Sequence, residues 1–186
     1  MNLTGKLLIA MPGMGDPRFD RSVILLCGHA TGEGAMGLII NQRAKNLSFR
    51  QLLEQINITP AKPLTRNVPV HVGGPVDHGR GFVLHSPEYD ANASTLQVDE
   101  HFAMTATLDI LEDIALGQGP KQMLLALGYS GWGAGQLENE ILGNGWLTAD
   151  ATAELVFDEL NETKWERALA TLGIDPLTLS AAAGHA

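Results

Sequence analysis

Residues 5–27 read GKLLIAMPGMGDPRFDRSVILLC, and this stretch decides how the fold is interpreted. Within it, 7–11 and 23–27 are continuous apolar runs with Gly and Pro at their borders. Such runs are typical of β-strands that are buried on both faces. A third run, 36–40, follows the glycine-rich connection 32–34, which predicts a β-hairpin. The chain therefore begins with a group of core strands.

The rest of the chain alternates short strands with a few helices. Ser48, with Gln51 three residues later, has the spacing of a capping box and predicts a helix through Ile56. Because the strands come in hairpin-like groups rather than in βαβ order, we expect one compact α+β domain over residues 1–186, with a short tail at about 175–186. The other predicted elements are strands at 70–72, 81–85, 123–127 and 155–157, a glycine-rich turn at 128–133, helices at 99–116, 134–142 and 161–172, and a final helical turn after Asp175.

Composition and charge exclude several classes of protein. With 45% apolar and 18% charged residues in 186, the chain has the composition of a folded domain rather than a disordered one. A net charge of -9 repels polyphosphate, so we expect weak or no direct binding to nucleic acid. A single cysteine, Cys27, excludes an intrachain disulfide and a cysteine-based zinc site. The longest apolar runs are far shorter than the roughly 20 residues of a membrane span, which predicts a cytoplasmic protein with no membrane contact.

The loop between the first two strands is the first candidate binding site. It carries two prolines, two glycines and four charges, and it places Asp16, Phe19 and Arg21 at one end of the sheet. His29 and Asn41, at the ends of the neighbouring strands, reach the same region. One interpretation is a recognition loop. The other is a turn whose Asp and Arg side chains pair with each other and with the backbone.

The second candidate region lies between His71 and His85, where histidines recur every seven residues. Such spacing does not match a known ligand pattern, so we predict no metal site, and nothing in the sequence calls for a cofactor. Arg80 is a better candidate, because a guanidinium at the end of a loop can clamp a carboxylate or phosphate. Gly73 and Gly74 predict either positive φ or a close approach of two backbones. We keep Arg80, both glycines and His85 as candidates for ligand or partner binding.

The third candidate region is a strand, a glycine-rich turn and a helix between residues 123 and 142. Ser130 does not form a nucleophile elbow, because that motif needs Gly where Trp132 stands. Tyr129 and Trp132 provide amphipathic aromatic surface next to Gln136 and Glu140, which lie four residues apart on one helix face. These four side chains form either a binding anchor or a tryptophan plug in the core with the polar pair bonded to the loop backbone.

Six motifs follow one another over nearly the whole chain: GKLLIAMP at 5–12, GAMGLIIN at 34–41, GGPV at 73–76, RGFVLH at 80–85, LGYSGW at 127–132 and GQLENEI at 135–141. In this order they resemble the bacterial AlgH/YqgE family. The resemblance implies an α+β fold of branched, coiled mixed sheets with a few packed helices, and a proposed role as a transcriptional regulator. The family's molecular activity is not settled, so the resemblance assigns no catalytic residue.

Three functions are open at this point. The leading hypothesis is a non-enzymatic binding protein that acts in gene regulation through a protein or small-molecule partner. The alternative is an enzyme whose acid–base pocket combines side chains from three segments, 16–41, 80–85 and 129–140. A third hypothesis is an assembly factor that uses the surface around Trp132.

Overall fold

A curled β-sheet forms the frame of the protein, and helices pack on it. The computed structural model describes residues 1–60, 62–90, 94–106 and 108–183, with side chains through residue 179. Within these ranges the strands are β1 Lys6–Ala10, β2 Val23–Ala30, β3 Gly34–Ile39, β4 Val70–Val72, β5 Val76–His85, β6 Thr95–Gln97, β7 Ala103–Thr105, β8 Met123–Trp132 and β9 Trp146–Asp150. The helices there are α1 Phe49–Gln55, α2 Leu108–Ala115, α3 Gln136–Leu142, α4 Ala153–Val156, α5 Asn161–Thr171 and α6 Pro176–Ala183.

The sheet branches at β8. The strand order is β6-β7-β5-β8-β3-β2-β1-β9, and β4 also pairs with β8. Residues 125–127 of β8 lie between β4, which is parallel to it, and β5, which is antiparallel. Further along, residues 130–132 of the same strand pair with β3. This arrangement confirms the expected α+β class with a branched, coiled, mixed sheet.

Both faces of the central strands are buried, as the continuous apolar runs predict. In β1, Leu7 and Ile9 pack into a hydrophobic cluster that includes Trp165 of α5. Leu8 packs into a different cluster around Trp146. Because successive side chains of a strand point to opposite faces, each face of β1 has its own cluster. The first two predicted strands are confirmed as β1 and β2.

Helix α1 begins where the capping-box pattern predicts. Ser48 Oγ accepts a hydrogen bond from the Gln51 amide at 3.2 Å, and Gln51 Oε1 accepts one from the Ser48 amide at 2.8 Å. These two bonds satisfy backbone donors that the first turn of a helix leaves without a partner. The predicted helices at 134–142 and 161–172 are also present, as α3 and α5.

The predicted helix over 99–116 is wrong in its first half. Asp99 closes a turn instead, because its Oδ1 accepts hydrogen bonds from the amides of His101 and Phe102 at 2.7 and 2.9 Å. The next residues form β7, which pairs with β5 and β6 and is fully buried. Helix α2 therefore starts only at Leu108, and residue 107 of the predicted helix lies outside the described residues.

Two further predictions are wrong in the second half of the chain. The glycine-rich turn predicted at 128–133 is instead mostly the second half of β8, which continues to Trp132. The strand predicted at 155–157 is helix α4, which Thr152 caps by accepting a hydrogen bond from the Leu155 amide. The strand in this part of the chain lies earlier, as β9, and it pairs along its length with β1.

Gly73 and Gly74 are required where two backbones touch. A Cβ added at Gly74 would lie 2.1 Å from the carbonyl carbon and oxygen of Tyr129, and one at Gly73 would lie 2.3 Å from the carbonyl oxygen of Gly128. No side chain fits at such distances. The two glycines therefore let the connection between β4 and β5 pass against β8, which agrees with the predicted close backbone approach.

The predicted tail contains one more helix. Asp175 caps α6 by accepting a hydrogen bond from the Leu177 amide at 2.9 Å, and residues 184–186 lie outside the described part of the chain. Over the residues described, no helix has the length and apolar character needed to span a membrane.

Candidate functional site

A cleft of about 380 Å³ opens between the first loop of the chain, the end of β8, and the segment that leads from α3 into β9. We call it the tryptophan cleft. The side chains that matter for its chemistry are Asp16, Phe19, Trp132, Gln136, Glu140 and Trp146, with Arg18 and Val76 at its rim.

Glu140 is the hub of this cleft. Its Oε2 accepts hydrogen bonds from the indole N–H groups of Trp132 and Trp146, each at 2.8 Å. Its Oε1 accepts one from the side-chain amide of Gln136 at 3.1 Å, and Gln136 Oε1 in turn accepts the Gly133 amide. A carboxylate offers about four acceptor positions, so Oε1 retains capacity for one more hydrogen bond.

The aromatic walls are held almost perpendicular to one another. The rings of Trp132 and Trp146 lie 6.0 Å apart at 80°, and those of Phe19 and Trp146 lie 5.5 Å apart at 71°. Such edge-to-face contacts are the favoured geometry of aromatic pairs. Trp146 is almost completely buried and Trp132 nearly so, which fixes both rings in the core while they line the cleft.

The rim carries an ion pair within the first loop. Asp16 caps the short 3₁₀ turn Pro17–Phe19, and its carboxylate binds the Arg18 guanidinium at 2.8 and 3.0 Å. The hydrogen bonds from Arg18 lower the pKa of Asp16. The same guanidinium lies 5.8 Å from the centre of the Phe19 ring. The Asp16–Arg18 pair agrees with the second interpretation of the loop, in which its charged side chains bond to each other. The pair nevertheless lies at the edge of a cleft.

Helix α3 places the polar pair as its sequence predicts. Leu137 is fully buried, whereas Gln136 is exposed and Glu140 is half-buried, so the two polar side chains share the face turned to the cleft. The structure supports the core interpretation in part, because Trp132 is buried and Gln136 accepts a hydrogen bond from the backbone amide of Gly133, and the binding anchor stays a prediction. Trp132 is a core side chain, and its hydrogen-bond partner lies on a cavity wall rather than on the loop backbone.

Arg21 and Asn41 line a second cavity of about 350 Å³, which we call the arginine cavity. The Arg21 guanidinium lies 5.1 Å from the centre of the Trp165 ring. Asn41 ties the loop to β2, because it donates to the Arg21 carbonyl and accepts from the Val23 amide, each at 2.9 Å. Arg18 lines both cavities, so the two lie side by side.

His29 occupies a separate buried position. Its Nδ1 accepts a hydrogen bond from the Leu3 amide at 3.0 Å, so the ring proton is on Nε2, which donates to Glu138 at 2.9 Å. This contact joins the N-terminal segment to helix α3. It also lowers the pKa of Glu138, after the larger effect of the residue's own backbone amide.

His85 is a core histidine in β5. Its Nδ1 donates to the Ser86 carbonyl and its Nε2 accepts from the Thr105 hydroxyl, each at 2.8 Å. Burial lowers its pKa. Both ring nitrogens are therefore used within the fold, and His85 is not among the residues that line either cavity.

Arg80 and Tyr129 meet at Phe82. The Arg80 guanidinium lies 5.2 Å from the centre of the Phe82 ring, and Tyr129 packs edge-on against the same ring at 5.9 Å. Neither side chain lines the tryptophan cleft or the arginine cavity. The acid–base residues proposed from sequence are thus divided among several places, and of those named only Asp16 and Glu140 share the tryptophan cleft.

Sequence reasoning missed several side chains in and beside the two cavities. Trp146, the second donor to Glu140, was not among the predicted site residues, because the segment after α3 was not assigned to a strand. Also missed was a buried polar cluster beside the arginine cavity: His71 accepts a hydrogen bond from Asn161, and Lys164 donates to the carbonyls of Ile40 and Val156. The helical spacing of Asn161 and Lys164, three residues apart, is the signal that places them on one face.

The side chains of His71, His78 and His85 do not come together in one site. His71 also donates to the Leu125 carbonyl at 3.2 Å, His85 is bonded as above, and His78 is exposed. Among the described residues, no three His, Cys, Asp or Glu side chains are grouped so that they could hold a metal ion.

Comparisons with known proteins agree on one family. The AlgH-like family profile matches residues 7–177. A UPF0301 protein of Jannaschia sp. (strain CCS1) is 62% identical over 186 residues, covering 100% of this chain and 96% of the relative, and one of Ruegeria pomeroyi is 60% identical over the full length of both. The solution structure of the AlgH protein from Pseudomonas aeruginosa matches with a TM-score of 0.80 at 42% identity, covering 100% of this chain and 97% of that one. A crystal structure from Corynebacterium diphtheriae, at 21% identity and a TM-score of 0.72, covers 96% of this chain and 91% of its own, and it shows the shared fold alone.

Proposed function

The chain belongs to the AlgH-like family, and from that premise we propose that it is a binding protein that holds a small molecule or a segment of a protein partner in the tryptophan cleft. The observation that carries this proposal is the fixed position of Glu140. Two buried indoles hold one oxygen of its carboxylate, and the other oxygen can accept one more hydrogen bond. A polar group held rigidly inside an aromatic wall is the usual design of a ligand site.

The size of the cleft supports the same function. About 380 Å³ falls in the range of small-molecule sites, and it also suits one or two side chains of a protein partner. Its aromatic anchors need little ordering when they bind, because both tryptophans are already fixed by packing and hydrogen bonds. Little of the binding free energy is therefore spent on arranging the site.

A role in gene regulation, which the family resemblance implies, would depend on the small molecule or protein partner that the tryptophan cleft binds. The net charge of -9 repels the DNA backbone, so strong direct contact with DNA is not part of the proposal. The unpaired, buried Cys27 is in keeping with a reducing cytoplasm, where we place the protein.

An acid–base enzyme, the alternative function, has less support. Such chemistry needs an acid and a base within hydrogen-bond reach of one substrate. The imidazoles of His29 and His85 are each bonded on both nitrogens within the fold. Asp16 is paired with Arg18, and Glu140 is held by two indoles. Binding uses these side chains as they stand, whereas proton transfer would have to break their contacts.

The test is nitrogen–proton correlation NMR of the three indole N–H groups. Trp132 and Trp146 report on the tryptophan cleft, and Trp165, which lines the neighbouring arginine cavity and donates to the Ala10 carbonyl, is the control for binding outside the cleft. The three signals are assigned with single Trp→Phe variants. A panel of amines, carboxylates, phosphates, nucleotides and short duplex DNA is then titrated into the labelled protein.

We expect at least one small ligand to shift the Trp132 and Trp146 signals and to leave that of Trp165 in place. Gln136→Ala should weaken this binding, because it removes the brace on Glu140, whereas Leu142→Ala, an exposed change on the same helix, should not. If every ligand that binds shifts other parts of the protein and leaves both cleft indoles unchanged, the tryptophan cleft is not the binding site.

A further inference from the structure

Resting on the proposed function, we infer that the tryptophan cleft takes a cationic head group: the ammonium of an alkylamine or the guanidinium of an arginine-like group. The same chemistry can be presented by a free amine or by a basic side chain of a protein partner. Three features of the cleft lead to this inference, which are its charge, its aromatic walls and a cation that the chain itself already holds there.

The cleft has an excess of negative charge. Among the described residues that line the cleft, Asp16 and Glu140 are carboxylates and Arg18 is the one cation, which leaves one negative charge in excess. The remaining acceptor position on Glu140 Oε1 can bind an N–H donor but repels an anion. The net charge of -9 adds a long-range field of the same sign, which attracts cations toward the protein.

The positive N–H edges of the two cleft tryptophans are already bound by Glu140. An aromatic ring is positive at its edge and negative on its faces. The N–H edges of Trp132 and Trp146 both point at Glu140, so their positive rims are neutralised by the carboxylate. Tryptophan faces are the strongest cation–π acceptors among the side chains, and an ammonium bound between aromatic rings is a recurrent form of recognition.

Arg18 acts as a resident cation of the cleft. Its guanidinium is bound to the Asp16 carboxylate and lies over the Phe19 ring, which is the arrangement that a ligand cation would use. The Arg18 side chain is largely exposed, 63% by area, so little packing holds it in place. An incoming cation can therefore displace it, and removing it should leave a stronger site.

The experiment compares n-butylammonium, n-butanol and butyrate, which share an alkyl chain and differ in charge. Each is titrated at constant ionic strength while the indole signals of Trp132, Trp146 and Trp165 are followed. We expect butylammonium to shift the first two signals at the lowest concentration. We also expect this binding to weaken as salt is added, because ions screen a partly exposed charge.

Three variants test the assignment of charges. Glu140→Gln keeps the shape of the hub and should weaken butylammonium binding by about tenfold. Asp16→Asn, which can still cap the 3₁₀ turn, should weaken it by about threefold, the effect of one exposed charge. Arg18→Ala should strengthen it by about threefold. Arg50→Ala, which removes an exposed arginine on α1, is the matched control and should change it little.

Equal shifts of the cleft indoles by butanol or butyrate would overturn the inference and leave the proposed binding function standing. Unchanged affinity for butylammonium in both Asp16→Asn and Arg18→Ala would also overturn it, and these rim variants remain informative if Glu140→Gln does not fold. If nothing in the wider panel reaches the cleft, the proposed function itself fails. Comparison of spermidine with an acetylated, amidated Ala-Lys-Ala peptide then identifies the source of the cation, and tighter binding of either supports the inference.

Discussion

Replacing Lys164 by methionine should change how the stability of the protein depends on pH. The Lys164 side chain is fully buried, and its Nζ donates to the carbonyls of Ile40 and Val156 at 2.8 and 2.9 Å. Burial disfavours the charged form and lowers the pKa of Lys164 from 10.5 to about 8, with Asp158 opposing the change and Arg167 adding to it. Methionine has a similar volume and no proton to lose.

The sign and size of the effect follow from proton linkage. Between pH 8 and 10.5 the unfolded chain holds a proton on Lys164 that the folded protein has released, so the free energy of unfolding rises with pH. The gap between pKa values of about 8 and 10.5 corresponds to about 3 kcal/mol, at about 1.4 kcal/mol per pH unit. This gain should be fully present above pH 10.5 and absent below pH 8.

The assay is urea unfolding at pH values from 7 to 10.5, with the wild type and Lys164→Met measured side by side. Groups that titrate in both proteins cancel in the difference of their unfolding free energies. That difference should be flat near pH 7 and should then rise in favour of the wild type by about 3 kcal/mol. Lys45→Met, which removes an exposed lysine, is the control for the loss of one positive charge. Parallel curves for wild type and Lys164→Met would refute the reasoning, because they would mean that Lys164 titrates alike in the folded and unfolded states.

Three other predictions concern stability. Burial and the nearby Lys164 lower the pKa of His71 to about 4. Between pH 6.5 and 4 the unfolded chain gains a proton that the folded protein does not, so the free energy of unfolding of the wild type should fall by about 3 kcal/mol. In urea unfolding over this pH range, His71→Gln should show a smaller fall. In urea unfolding at neutral pH, Gly74→Ala should lower the free energy of unfolding by about 3 kcal/mol or more. The control Gly79→Ala, where a Cβ meets nothing closer than 4.0 Å, should change that free energy by no more than about 1 kcal/mol. Ser48→Ala removes the cap of α1 and should cost about 1 kcal/mol in thermal unfolding, and no change in melting temperature would contradict the capping box.

The elements that could be predicted are those whose own residues determine them. The apolar runs of β1 and β2 need two covered faces, and the structure provides them from opposite sides. The Ser48–Gln51 pair is a local hydrogen-bonding pattern, so it was readable without the rest of the fold. In both cases the information lies within a few residues of the element itself.

The elements that could not be predicted depend on distant partners. Residues 128–132 carry two glycines and look like a turn, yet they form a strand because β3 pairs with them and the 73–74 backbone packs against them. The segment 103–105 sits in a helix-like pattern, yet pairing with β5 makes it a strand. Tertiary pairing outweighs local propensity most easily in such short segments.

Only part of the candidate site could be predicted from the sequence, because the rest depends on the pairing of distant strands. Gln136 and Glu140 share a helix face, which spacing alone reveals. The two indole partners of Glu140 could not be paired from the sequence, because Trp132 ends β8 and Trp146 begins β9. No sequence periodicity relates two strands whose order in the sheet is unknown. Sequence reasoning could find the acceptor and one donor, but not that both indoles meet on a single oxygen.

The curl of the sheet is what creates this meeting point. Strands β8 and β9 are four steps apart in the strand order, which in a flat sheet is about 19 Å. The rings of Trp132 and Trp146 nevertheless lie 6.0 Å apart, which agrees with a sheet that curls between β8 and β9. Glu140 lies on α3, the helix between these two strands, and it accepts hydrogen bonds from both indoles. Its carboxylate therefore connects the end of β8 to the start of β9. A ligand that donates a hydrogen bond to the remaining acceptor position on Glu140 Oε1 would contact the side chain that links the end of β8 to the start of β9. We therefore expect binding in the cleft to raise the stability of the fold through that carboxylate.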